Sequence, residues 1–166
     1  MDDAVRRCLE ILEAATADPR RGLPDEVFRF VSRVTPLVNV DLLIQDERSR
    51  TLLTWRDDEF YGPGWHVPGG IIRYKESAAD RIIACARVEL GADVSSEAAP
   101  LLLSEGFRDE DTRGHHISLL FRCRLLSPPD EARHAVSDPP SAGQWRWHDR
   151  APDDLLAEQR LYARFF

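Results

Sequence analysis

Trp65-His66-Val67-Pro68-Gly69-Gly70, followed six residues on by Glu76 and then by an apolar run closing in Glu89-Leu90-Gly91, is the stretch whose reading decides the fold. Pro68-Gly69-Gly70 interrupts a strand, because proline lacks the amide donor and glycine reaches backbone angles closed to other residues. Beyond Glu76 the spacing predicts a helix that stops at Gly91, which sits where a C-cap glycine belongs. At about 100° per residue, Ala78, Ala79, Ile82, Ile83, Cys85, Ala86 and Leu90 share one arc of this helix. Glu76, Asp80, Arg81, Ala84, Arg87 and Val88 occupy the rest. Glu89 falls inside the apolar arc, between Ile82 and Cys85. An ionised carboxylate there is costly unless a cation meets it. Either the side chain reaches out of the last turn into water, or a metal ion meets it.

Gly70, Glu76, Glu89, Gly91 and Ala92 stand in the register of the Nudix box: glycine, five residues, glutamate, seven residues, then Arg-Glu-apolar-x-Glu-Glu-x-Gly-apolar. The chain therefore resembles the Nudix hydrolases, with departures. Ala84 replaces the arginine, Cys85 the first helix glutamate and Val88 the next one. A degenerate box that keeps the last glutamate of the helix is a mark of the GDP-mannose mannosyl hydrolases, and the chain is similar to that subfamily outside the box as well. Thr35-Pro36-Leu37, then Val40-Asp41, matches the start of its first strand, so Asp41 takes the place of its active-site aspartate. Arg56, after Leu52-Leu53-Thr54-Trp55, matches an arginine that contacts the nucleotide diphosphate. A guanidinium suits that task because its planar fork holds two phosphate oxygens at once; a solvated strand-end arginine is the alternative. The arginine that follows the second glycine in the subfamily is Ile71 here, and Arg73, on the same side of an extended chain, is its candidate replacement. Trp145-Arg146-Trp147 matches an aromatic-Arg-Trp segment, but the Gln-His just upstream, a metal ligand and the general base, is Ser141-Ala142. His134, in the same Pro-rich loop, is the nearest candidate base.

The resemblance, running from about residue 23 to 165, implies an α/β/α sandwich with a mixed sheet between helices. Residues 1–22 form an N-terminal helical extension and 23–166 the hydrolase domain. It implies magnesium, or manganese in its place, held by Glu89 and the Gly70 carbonyl, and a nucleotide-sugar substrate hydrolysed to GDP and free sugar. It also implies a homodimer. Glu76 is read as a brace for the loop. Two alternatives stay open: an ordinary pyrophosphatase cutting between phosphates, and a nucleotide-sugar binding module with little activity.

The 166 residues, 43% hydrophobic, suffice for one domain with its own core. A net charge of −7 argues against nucleic acid as the main partner, since phosphate backbones are met with clustered Lys and Arg. Cys8, Cys85 and Cys123 lack metal-type spacing and read as the reduced thiols of a cytoplasmic protein. No apolar run is long enough for a membrane span, and Met1-Asp2-Asp3 lacks the basic start of a signal peptide.

Apolar spacing predicts helices over residues 4–16 and from Pro24-Asp25 onward, the second burying Val27, Phe28, Phe30 and Val31. Strands are expected at 35–44, at 51–56 as its hairpin partner, at 101–107 and at 116–125, the last two joined by a polar loop. Asn39 and Asp41 share one face of the first strand. His115, in phase with Ile117, Leu119 and Phe121, either reaches a substrate from the strand mouth or packs. A closing helix is expected from Pro152, packing Leu155, Leu156, Leu161, Tyr162 and Phe165.

Overall fold

The structure, a computed structural model, describes residues 3–109 and 113–166. Residues 110–112, within the expected polar loop, and Met1-Asp2 lie outside the described residues. Among the described residues, eight strands form two sheets. The larger is mixed. Its centre is β1 (Leu37–Ile44), which runs antiparallel to β4 (Gly69–Ile71) and parallel to β7 (His115–Leu125). β7 in turn pairs antiparallel with β5 (Val94–Ser96) and β6 (Leu102–Phe107). The smaller sheet is antiparallel, with β2 (Thr51–Arg56) between β3 (Gly64–His66) and β8 (Trp145–His148).

A strand covered on both faces needs apolar residues in succession rather than in alternation, and Leu42-Leu43-Ile44 meets that need with no exposure at all. Leu42 and Ile44 join one core, with Ile82, Cys85, Ala86 and Leu90 of helix α3 (Ala78–Leu90). Leu43 joins the other, with Leu53, Trp55, Trp65, Leu120 and Tyr162. The result is a mixed α+β fold with curled sheets and helices against them. Helix α1 (Asp3–Ala15) buries none of its residues, and α2 (Asp25–Val34) leaves Phe30 46% exposed where burial was expected.

Two expectations are corrected. β2 is not the ladder partner of β1: beyond a Gln45–Thr51 bridge the two strands diverge. Both edges of β1 are taken, by β7 and by β4, whose approach is completed by Leu42 N–H donating to the Pro68 carbonyl at 2.8 Å. The closing helix is a 3₁₀ helix over Ala157–Phe165, starting later than Pro152. Residues 154–156 instead lie along β3, with Trp65 N–H donating to Asp154 O and Leu156 N–H to Trp65 O, both at 2.9 Å. Those backbone groups are not available to a helix.

Glu76 is the brace it was read to be, with a partner the helical wheel had set on the polar side. Arg81 Nε and Nη2 each donate to a Glu76 oxygen at 2.8 Å, and Arg73 N–H donates to the same carboxylate. Arg81 is buried, with its guanidinium spent on Glu76 of the preceding loop. Ser77 caps the helix through Asp80 N–H, and Gly91 closes it at φ 64°. Removing one partner of a buried pair strands the other charge. Glu76→Gln therefore loses about 2–4 kcal/mol of stability in urea unfolding, and Glu76→Gln combined with Arg81→Met recovers part of it.

Candidate functional site

The Pro-Gly-Gly stretch lets β4 lie flush against both β1 and α3. A Cβ on Gly69 would stand 2.6 Å from Asp41 Oδ1, and one on Gly70 would stand 2.8 Å from Cys85 Sγ. Neither position tolerates a side chain. This close approach brings the C-terminal end of α3 to the strands, and a cleft of about 440 Å³ opens there. Asp41, Arg56, Gly70 and Glu89 all line it. Arg73, His115 and His134 do not, so the structure does not bring these three candidates to the others. Arg73 instead reaches the Arg20 carbonyl at 3.3 Å, His115 pairs with Glu105 at 2.8 Å, and the His134 ring packs on Trp145 at 4.7 Å. Ala142 stands at the wall of the cleft, where the resemblance had placed a base.

Glu89 is held from two sides. Gly69 N–H donates to Oε1 at 2.9 Å, and Thr54 Oγ1 lies 2.9 Å from Oε2. Burial outweighs both contacts and pushes its pKa up to about 7. Thr54 also contacts His66 Nε2 at 2.9 Å, while His66 Nδ1 lies 2.9 Å from the Val67 carbonyl. A carbonyl only accepts, so Nδ1 carries a proton. Burial drives the His66 pKa down to about 4, so the ring is neutral and Nε2 accepts. Thr54 has one hydroxyl proton and two acceptors. When it serves His66, the contact to Glu89 is made by a protonated carboxyl donating to Thr54, which suits a carboxyl whose pKa is raised.

Across the cleft, Asp41 is buried and its Oδ2 accepts from Tyr162 O–H at 2.6 Å. Burial is again the larger influence, raising the Asp41 pKa to about 6 against the hydrogen bonds from Tyr162 and Ser118; the Glu89 charge adds to the rise. Burial and the Asp41 carboxylate hold the Tyr162 hydroxyl protonated as a donor.

No group of three or more His, Cys, Asp or Glu side chains among the described residues is arranged to hold a metal ion unaided. Val88 is 73% exposed, and the burial-raised Cys85 thiol, at about 12, stays protonated. The helix offers the cleft one carboxylate, Glu89, beside the Gly70 backbone, and the other acidic side chains of the wall, Asp41, Asp57, Asp58 and Glu158, come from other segments. That fits a hard divalent cation of the magnesium type, which takes one or two carboxylates and completes its shell with water and substrate phosphates. It does not fit a closed protein cage.

The sequence reading missed Thr54, His66, Arg113, His116 and Tyr162, all of which line the cleft. Tyr162 had been read as packing. His66 sits in a short strand buried throughout, which has no alternation to read, and His116 falls on the face of β7 opposite the apolar set of Ile117, Leu119 and Phe121.

The Glu89 carboxylate of the loop-helix element thus shares one cleft of a mixed α+β fold with the guanidinium groups of Arg56 and Arg113. Residues 35–163 match the NUDIX domain. The chain belongs to the NUDIX family. It is 30% identical over 146 residues, 82% of this chain and 93% of the other, to the low-salt glycan biosynthesis protein Agl8 of Haloferax volcanii. Its fold is similar to that of a MutT NUDIX hydrolase from Burkholderia pseudomallei, with a TM-score of 0.61 and 20% identity over 78% of this chain and 97% of that one. It is also similar to that of a UDP-X diphosphatase, with a TM-score of 0.56 and 17% identity over 95% of this chain and 86% of that one.

The raised pKa of Glu89 has a measurable sign. The folded chain keeps a proton that the unfolded chain has released, so this stabilisation is complete below the unfolded value near 4.5 and is lost as pH rises through about 7. His66 and His148, both lowered to about 4 by burial, act in the opposite sense, so the wild-type curve alone conceals the effect. The difference between proteins isolates it: without metal, wild type loses about 1–3 kcal/mol relative to Glu89→Gln between about pH 5 and about pH 8 in urea unfolding.

Proposed function

We propose that this NUDIX protein is a magnesium-dependent hydrolase of a nucleotide sugar, of the GDP-mannose kind, releasing GDP and free sugar by attack of water at the anomeric carbon. One observation carries this reading: the metal-side helix offers the cleft a single carboxylate, Glu89, and β1 offers it Asp41, while the other acidic side chains at its wall, Asp57, Asp58 and Glu158, come from outside that helix. Cleavage between phosphates usually draws on several carboxylates massed on that helix, and Cys85 and Val88 cannot supply them. Attack at carbon needs charge neutralisation on the diphosphate and a base beside the sugar. The low-salt glycan biosynthesis name of the Haloferax relative supports a sugar-bearing substrate.

Glu89 and the Gly70 carbonyl would hold the metal, which supplies neutralisation of the charge gathering on the leaving diphosphate. Arg56 grips the diphosphate from the end of β2. Asp41 takes the proton of the attacking water. With a pKa of about 6 it is mostly ionised at neutral pH yet more basic than an ordinary aspartate, and Tyr162 fixes its orientation. The water oxygen forms the new bond to carbon, the bond from carbon to the phosphate oxygen breaks, and its electron pair leaves with GDP.

Reaction of GDP-mannose in heavy-oxygen water, with products read by mass spectrometry, tests the reading. Label is expected in free mannose beside unlabelled GDP. Label in GMP or in mannose 1-phosphate overturns it in favour of a pyrophosphatase, and no turnover of any GDP-sugar with magnesium favours a binding module. Glu89→Gln should lower the rate by about two to four decades.

A further inference from the structure

Three guanidinium groups gather on the loop between β2 and β3. Arg56 and Arg108 each place their guanidinium carbon 4.4 Å from the Tyr61 ring centroid. Arg113 stands 4.5 Å from the Phe60 centroid, 5.0 Å from Phe28 and 5.7 Å from Tyr61. Their charges are not equally engaged. Arg56 is paired with Asp58 at 2.5 Å, and Arg108 reaches Glu158 at 3.6 Å and the Phe60 carbonyl. Arg113 forms no ion pair with any described residue, and its Nε is buried with no hydrogen-bond partner among them. Its backbone is left-handed at φ 61°, a conformation that favours glycine, yet a long cation stands there. Ring faces attract a guanidinium but cannot accept its five N–H donors. Arg113 lines the same cleft as Arg56, Asp41 and Glu89.

We propose that Arg113 is a second phosphate-binding arginine, held by the Phe28–Phe60–Tyr61 cage beside Arg56 so that the two guanidiniums engage neighbouring phosphates of a nucleoside diphosphate. The assignment rests on the nucleotide-sugar reading of the cleft. Arg113 brings a charge that no described residue pairs to a place the sequence motif does not cover, whereas the charge of Arg56 is partly offset by Asp58.

Inorganic pyrophosphate is the probe, because its binding is measured without turnover and without a sugar. By calorimetric titration in the presence of magnesium, Arg113→Gln weakens pyrophosphate about 10- to 30-fold, and Arg113→Lys, which keeps the charge but not the fork, about 3- to 10-fold. With GDP-mannose, KM rises by a similar factor while kcat changes by less than about threefold. Arg113→Gln should unfold at the same or higher urea concentration than wild type, since it removes a part-buried cation that no described residue pairs and whose Nε is buried. A purely structural arginine gives the reverse: lower stability and unchanged pyrophosphate affinity in both variants. That result overturns the assignment, as does failure of wild type to bind pyrophosphate while turning over GDP-mannose. Loss of pyrophosphate affinity in an enzyme that hydrolyses no nucleotide sugar keeps Arg113 as an anion site and removes the substrate reading alone.

Discussion

Glu89 sits where three elements meet, at the last turn of α3, with its oxygens bound to the Gly69 amide of β4 and the Thr54 hydroxyl of β2. That placement is possible because β4 carries no side chain at Gly69 or Gly70, where added carbons would collide with Asp41 and Cys85. Much of the architecture serves this contact. Arg81 and Glu76 lock the loop that delivers β4 to the helix, Ser77 and Gly91 fix the helix ends, and Leu42 anchors Pro68. The same burial that makes the site precise raises the pKa of both Asp41 and Glu89.

The thin carboxylate set shapes the chemistry. A helix that masses several glutamates can bind a divalent ion before substrate arrives, whereas α3 offers the cleft Glu89 alone, with Cys85 and Val88 at the neighbouring motif positions. On the proposed reading, the remaining ligands come from water and the phosphates of the substrate. Metal and nucleotide would then bind as linked ligands, each tightening the other by the same factor.

Much of this was legible in the sequence because it rests on local rules. Proline and glycine mark the strand break, Gly91 the C-cap, and Glu89 stands out against its apolar arc. What escaped depends on long-range packing. Arg81 belongs to the polar side of a helical wheel, yet it is buried against Glu76. Tyr162 reads as one more apolar residue of a closing helix, and its hydroxyl meets Asp41 across 121 residues of chain. Arg73 shares the extended-chain phase of Ile71 but lies beyond the end of β4 and outside the cleft, and Arg113 reaches it from the segment just before β7. His134 shares a loop with the expected base position, yet its ring is spent on Trp145.

The central claim is that Glu89 holds the metal jointly with the substrate's phosphates. Manganese, as a paramagnetic stand-in for magnesium, allows its direct measurement by electron paramagnetic resonance with and without GDP. The account predicts weak binding to the protein alone, tightening by about tenfold or more when GDP is added, and loss of that tightening in Glu89→Gln. Tight manganese binding without GDP, or the same GDP-dependent tightening in Glu89→Gln, would contradict it.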